Sequence, residues 1–103
     1  MGSNTFTKQP YEEFTVGGDF SLVMDTDETI VVGSSDAVVE DSAGTDVTSS
    51  IIESGSLAAN GQILQVRVKG GTEDGSPYKI TYKAVSDVGE KYEIDQFMEV
   101  KDI

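Results

Sequence analysis

The sequence predicts an all-β fold: an Ig-like Greek-key sandwich of about seven or eight short antiparallel strands, formed as a single domain over residues 1–103. Three observations predict it. The dominant hydrophobic period is two and not 3.6, which marks half-buried strands. Clusters of Gly, Asp, Ser and Asn punctuate the chain at intervals of about 8–12 residues. A length of 103 residues suits one sandwich, and a hydrophobic fraction of 37% fills one core and not two.

The N-terminal half predicts two strand pairs. Residues 13–16 and 20–24 read as strands separated by Gly17-Gly18-Asp19, and residues 29–32 and 37–40 as strands separated by Gly33-Ser34-Ser35-Asp36. Gly and Asp in both separators suit turns, one by tolerating positive φ and the other by capping backbone N–H groups. Residues 41–62 are rich in Ser, Gly, Thr and Asn; within them, 47–52 and 56–59 read as weaker, paired strands. The segment 47–53 also reads as a short helical turn. Tyr11 and Phe14 have no place in this pattern.

The C-terminal half alternates cleanly. In residues 63–69, Leu64, Val66 and Val68 share one face and Gln65, Arg67 and Lys69 the other. In residues 78–84, Tyr78, Ile80, Tyr82 and Ala84 alternate with Lys79, Thr81 and Lys83. The last strand sets Tyr92, Ile94, Met98 and Val100 in one register, with Gln96 on the same parity. Phe97 interrupts the pattern, which predicts a bulge near Gln96 or a strand apolar on both sides. Pro10 and Pro77 lie outside the predicted central strands.

The segment Gly70-Gly-Thr-Glu-Asp-Gly-Ser-Pro-Tyr78 joins the two clearest strands. It lacks the Lys-Ser/Thr ending of a phosphate loop and leads into a strand, so phosphate binding is not expected. Gly70 and Gly71 permit a bend as the chain changes sheets. Tyr78 then opens the next strand as the tyrosine of a tyrosine corner, its hydroxyl returned to nearby backbone.

Asp25-Thr-Asp-Glu28 is the densest acidic motif, and calcium is the ligand to test against it. Hard cations need six to eight oxygens. The central Gly and distant bidentate Glu of an EF-hand are missing at the required spacing, so a solvated turn is expected, as for Asp36, Glu40 and Asp41. Cys and His are both absent. That removes disulfides, thiolate and imidazole metal ligands, and the commonest general base. No catalytic, cofactor-binding or metal residue is nominated, and no enzyme is expected.

Nineteen acidic against seven basic residues give a net charge of −12. Such a surface repels nucleic acid and anionic membranes, so neither is an expected partner. No apolar run approaches the roughly 20 residues that span a bilayer. The first residues show neither a basic n-region nor an apolar h-region, so export by a signal peptide is not expected. Met1-Gly2-Ser3 reads equally as native sequence or as a cloning remnant.

Several blocks, in order, resemble a family of short tailed-bacteriophage and prophage proteins encoded among virion structural genes. They are Ig-like fiber-tail adaptors or related head and tail accessory proteins. The blocks are Phe6-Thr-Lys8-Gln-Pro10-Tyr-Glu12; Asp19-Phe20-Ser21 with Glu28-Thr29-Ile30; Val66-Arg-Val-Lys-Gly70-Gly71-Thr72 with Asp74-Gly75 and Tyr78-Lys79-Ile80-Thr81; and Gly89-Glu90 with Tyr92-Glu93-Ile94-Asp95, closing on Val100. Leu22-Val-Met-Asp25 is shorter than the family's Leu-rich stretch, and Ser86-Asp87-Val88 stands where the family varies. The resemblance implies a non-enzymatic virion module, made in the bacterial cytoplasm, whose partners are other virion proteins of tail, fiber or capsid. Strand addition is the expected contact, through the arm 5–14 or the strand 92–103. The alternative is an Ig-like binding module of a bacterial surface adhesin or carbohydrate-binding protein.

Overall fold

The computed structural model describes residues 4–102. Among them, seven strands form two sheets, β1 (Thr5–Lys8), β2 (Phe14–Asp19), β3 (Asp36–Glu40), β4 (Ala58–Asn60), β5 (Ile63–Val68), β6 (Tyr78–Val85) and β7 (Lys91–Val100). One sheet has the order β1-β7-β6-β3 and the other β2-β5-β4. The chain therefore passes repeatedly between sheets, and alternation fills the space between them. Leu64, Val66 and Val68 of β5 face Ile80, Tyr82 and Ala84 of β6 across one core, with Val39, Met98 and Val100. Each such large side chain, fully buried, contributes about 1.5–3 kcal/mol.

The three C-terminal strands lie where the period of two puts them, and β3 matches its predicted segment. The tyrosine corner forms as expected: the Thr72 N–H donates to Tyr78 Oη at 2.9 Å. Gly70 and Gly71, at φ +61° and +89°, turn the chain from one sheet to the other. Of the two readings for residues 47–53, the helical turn is realised, as α1 (Thr48–Ile51). Asp46 Oδ1 accepts from both the N–H and the hydroxyl of Thr48. The Thr48 hydroxyl oxygen in turn accepts the Val39 N–H. A side chain thus meets the edge of β3, and the expected pairing of 47–52 with 56–59 is not made: Ile52 bridges Val68, and β4 pairs with β5.

The N-terminal half departs from expectation in several places. Gly17-Gly18-Asp19 is no separator; β2 runs through it, paired with β5 from Phe14↔Val68 to Asp19↔Ile63. Gly18 lies against the Tyr82 ring, where a Cβ would stand 2.9 Å from Cδ2, so the glycine marks close approach of the sheets. Residues 20–24 are a turn and not a strand, with the Val23 and Met24 N–H groups both donating to Phe20 O at 3.0 Å. The turn points Phe20 and Met24 inward and Leu22 out, whereas a strand would align all three. Residues 29–32 contribute only an isolated bridge, Ile30↔Ser86, before a single 3-10 turn at Val32–Ser34. There the Ser35 hydroxyl donates to Val31 O and accepts the Val85 N–H, taking the place of a ladder bond.

The expectation of purely antiparallel pairing is corrected by β1, which lies in the arm 5–14 expected at a sheet edge and runs parallel to β7 from Thr5↔Phe97 to Lys8↔Val100. Lys8 anchors it. Its side chain is fully buried, and its ammonium donates to the carbonyls of Gln9 at 2.8 Å, Pro10 at 3.2 Å and Gly70. No bulge exists at Gln96, because β6 and β7 keep one register from Tyr78↔Met98 to Val85↔Lys91. Gln96 points inward and accepts the Tyr82 hydroxyl at 2.6 Å, which leaves Phe97 on the outer face. Phe14, unplaced by the sequence, meets Phe6 edge to face with ring centroids 5.8 Å apart; Tyr11 is exposed. Met1-Gly2-Ser3, and Ile103 of the arm 92–103, lie outside the described residues.

Candidate interaction surface

Three connections converge at one end of the sandwich: the long β2–β3 loop, the β4–β5 turn at Gly61-Gln62, and the β6–β7 turn at residues 86–90. Strand direction dictates this, since β2, β4 and β6 all run toward that end and β3, β5 and β7 all leave it. Hydrogen bonds weld the connections together. The Ile30 N–H donates to Gly61 O at 3.0 Å and the Phe20 N–H to Gln62 O at 2.9 Å. The Gln62 amide reaches back to the carbonyls of Asp25 at 2.6 Å and Glu28 at 3.0 Å. Asp87 pairs twice with Thr29, its N–H donating to Thr29 O and its carboxylate accepting the Thr29 N–H.

Glu28 sits at the centre of this arrangement. It was expected in a solvated turn, yet it is only 5% exposed. Its Oε1 accepts the Asp25 N–H at 2.8 Å, and the Tyr92 hydroxyl donates to both carboxylate oxygens at 3.1 Å. These bonds and one from Ser86 hold its carboxyl below the usual range, the Asp25 N–H contributing most and burial opposing. Burial, reinforced by the Glu28 carboxylate, raises the Tyr92 phenol. Asp25 and Asp27 face outward. A chelating loop would need Glu28 free to turn to the same cation, and its oxygens are already engaged. Among the described residues no group of three or more acids is disposed to hold a metal ion.

On this fixed base stand apolar side chains that the core does not use. Leu22 is 95% exposed, Val23 55% and Val88 66%, with Val31 and Val32 about two-fifths exposed. Sequence reasoning placed Leu22 in a strand and assigned Val88 no role. For Leu22 no signal existed, because Phe20-x-Leu22-x-Met24 has the period of a strand. Val88 was legible, being an apolar residue inside a Ser-Asp-x-Gly turn.

Two other places bear on interaction. A groove of about 510 Å³ opens between the β3 and β4 sides, floored by Ala37, Leu57 and Val66. Its acids are engaged structurally: Asp36 accepts the Ala37 N–H, Asp46 accepts the N–H and hydroxyl of Thr48, and Glu53 lies 3.7 Å from Arg67. Of the two arms expected at sheet edges, only the first is an edge along its paired length. β1 covers β7 from Phe97 to Val100, so the C-terminal strand is interior there, and among the described residues no strand pairs with that side of β7 before Phe97. Among the described residues no helix is long and apolar enough to cross a membrane. Neither a scan against protein-family models nor a search of curated proteins finds a match.

Proposed function

We propose that this chain is a non-enzymatic protein-interaction module of a phage or prophage virion, acting as an adaptor in the tail or at the head–tail junction. The observation that carries the interaction reading is the braced loop end, where exposed Leu22, Val23 and Val88 rest on loops fixed by Glu28, Gln62 and Asp87. Loops ordered in advance lose less freedom on binding, which favours recognition.

The virion setting is supported by the resemblance, whose blocks coincide with structurally committed positions: buried Lys8, buried Glu28, and the Gly70-Gly71 bend with its Tyr78 corner. The strand neighbours support an immunoglobulin-type sandwich, since β2-β5-β4 and β3-β6-β7 match the B-E-D and C-F-G order of constant-type domains. Strand addition along β1, or beside the first half of β7, supplies a second contact for an adaptor that must touch two neighbours.

Mass spectrometry of particles induced from the host tests this. The chain at stoichiometric copy number is the expected result. Its absence from otherwise complete particles overturns the reading, and glycan binding would then favour a surface-binding module.

A further inference from the structure

We infer that the loop end is the docking surface of this module, and that it takes an apolar pocket rimmed by basic residues on a different protein. The inference rests on the reading of the chain as an assembly module. Of the seven large apolar side chains exposed among the described residues, five stand on two loops of this one end: Leu22, Val23, Val31, Val32 and Val88. The other two are apart, Tyr11 in the β1–β2 connection and Phe97 on the outer face of β7. Concentration at one end, on loops tied by side-chain and backbone bonds, is the pattern of an interface centre and not of stray surface apolar residues.

Charge selects the occupant. The same loops carry Asp25, Asp27, Asp87 and Glu90, with Asp19 at the end of β2 and Lys91 the nearest base in the chain. A second copy would bring the same acids against these and add another −12 of net charge, so self-association through this end is disfavoured. An anionic lipid surface is repelled for the same reason. A protein pocket that buries Leu22 and Val88 while setting Lys or Arg against the rim satisfies both features.

The test uses full-length chain in induced particles, with photoreactive benzoylphenylalanine introduced in place of Leu22, Val88 or, as control, Phe97. The expected result is cross-linking from positions 22 and 88 to one other virion protein. Carbodiimide should join Asp25, Asp27, Asp87 or Glu90 to lysines of that same protein. The double variant Leu22→Ser, Val88→Ser should lower incorporation about tenfold or more with an unchanged melting temperature, both side chains being exposed. Cross-links to a second copy, cross-links from position 97 alone, or unchanged incorporation of the double variant each overturn the docking surface while leaving the virion reading intact. Absence of the wild-type chain from particles overturns the virion reading, and this inference with it.

Discussion

Among the described residues every buried side-chain nitrogen and oxygen has a hydrogen-bond partner. Tyr78 and Tyr82 show it on one strand: the first hydroxyl accepts the Thr72 N–H, and the second donates to Gln96 on the neighbouring strand. Tyr78→Phe leaves the Thr72 N–H without its acceptor and should destabilise by about 1–2 kcal/mol, read as a shift of the urea midpoint at constant slope. Gly18→Ala pushes a methyl into the Tyr82 ring and should lose about 1–3 kcal/mol; an unchanged midpoint would show that the sheets separate freely there. Glu28 adds pH dependence. Its carboxyl is held below the ordinary value of 4.5, so the folded state binds fewer protons than the unfolded one near that value. The stability it contributes is present above about pH 4.5 and lost as pH falls through the depressed folded value. Glu28→Gln should melt lower at neutral pH, and the gap to wild type should close on acidification. A gap independent of pH would mean that the charge of Glu28 is immaterial to the loop end.

At the scale of elements, the legible part of the fold is the part whose partners impose a simple alternation. In β5, β6 and β7 the more buried positions recur every second residue, so residue type and position agree except at Thr81, Gln96 and Phe97. The loop 20–35 defeated the same reasoning because a helical turn at Phe20 and a strand both bring residues 20 and 24 inward; only Leu22 distinguishes them, and it is apolar in either case. The parallel pairing of β1 and its buried end were illegible for a different reason. Its four residues, Thr5–Lys8, end on a fully buried lysine, whose solvation comes from three backbone carbonyls that are distributed over two loops. Burial lowers the Lys8 pKa, opposed by Glu12 and Glu13, and no composition rule places such a lysine inside. Of the candidate surface, the acidic turn 25–28 was seen but its last member was misassigned. Glu28 serves as an internal brace, while the apolar side chains beside it carry the exposed surface.

For the molecule as a whole, charge is the dominant long-range force. Nineteen acids and seven bases are offset by three ion pairs among the described residues, each 3.7–3.9 Å apart and about half exposed. Such pairs contribute at most about 1 kcal/mol each, so repulsion is largely uncompensated. Sodium chloride raised from roughly 0.01 to 1 M shrinks the screening length from about 30 to about 3 Å, and the melting temperature should rise with it. A flat or falling response would indicate that the acids are spaced beyond mutual reach. The direction of the last strand carries a practical corollary. β7 leaves the loop end at Lys91 and finishes at the opposite end by Val100, so a tether attached after Asp102 departs from the face turned away from Leu22 and Val88. Molecules grafted to a bead or a sensor chip through that tether would stand like bristles, loops outward. The same handle placed in the β6–β7 turn would bury the loops against the support.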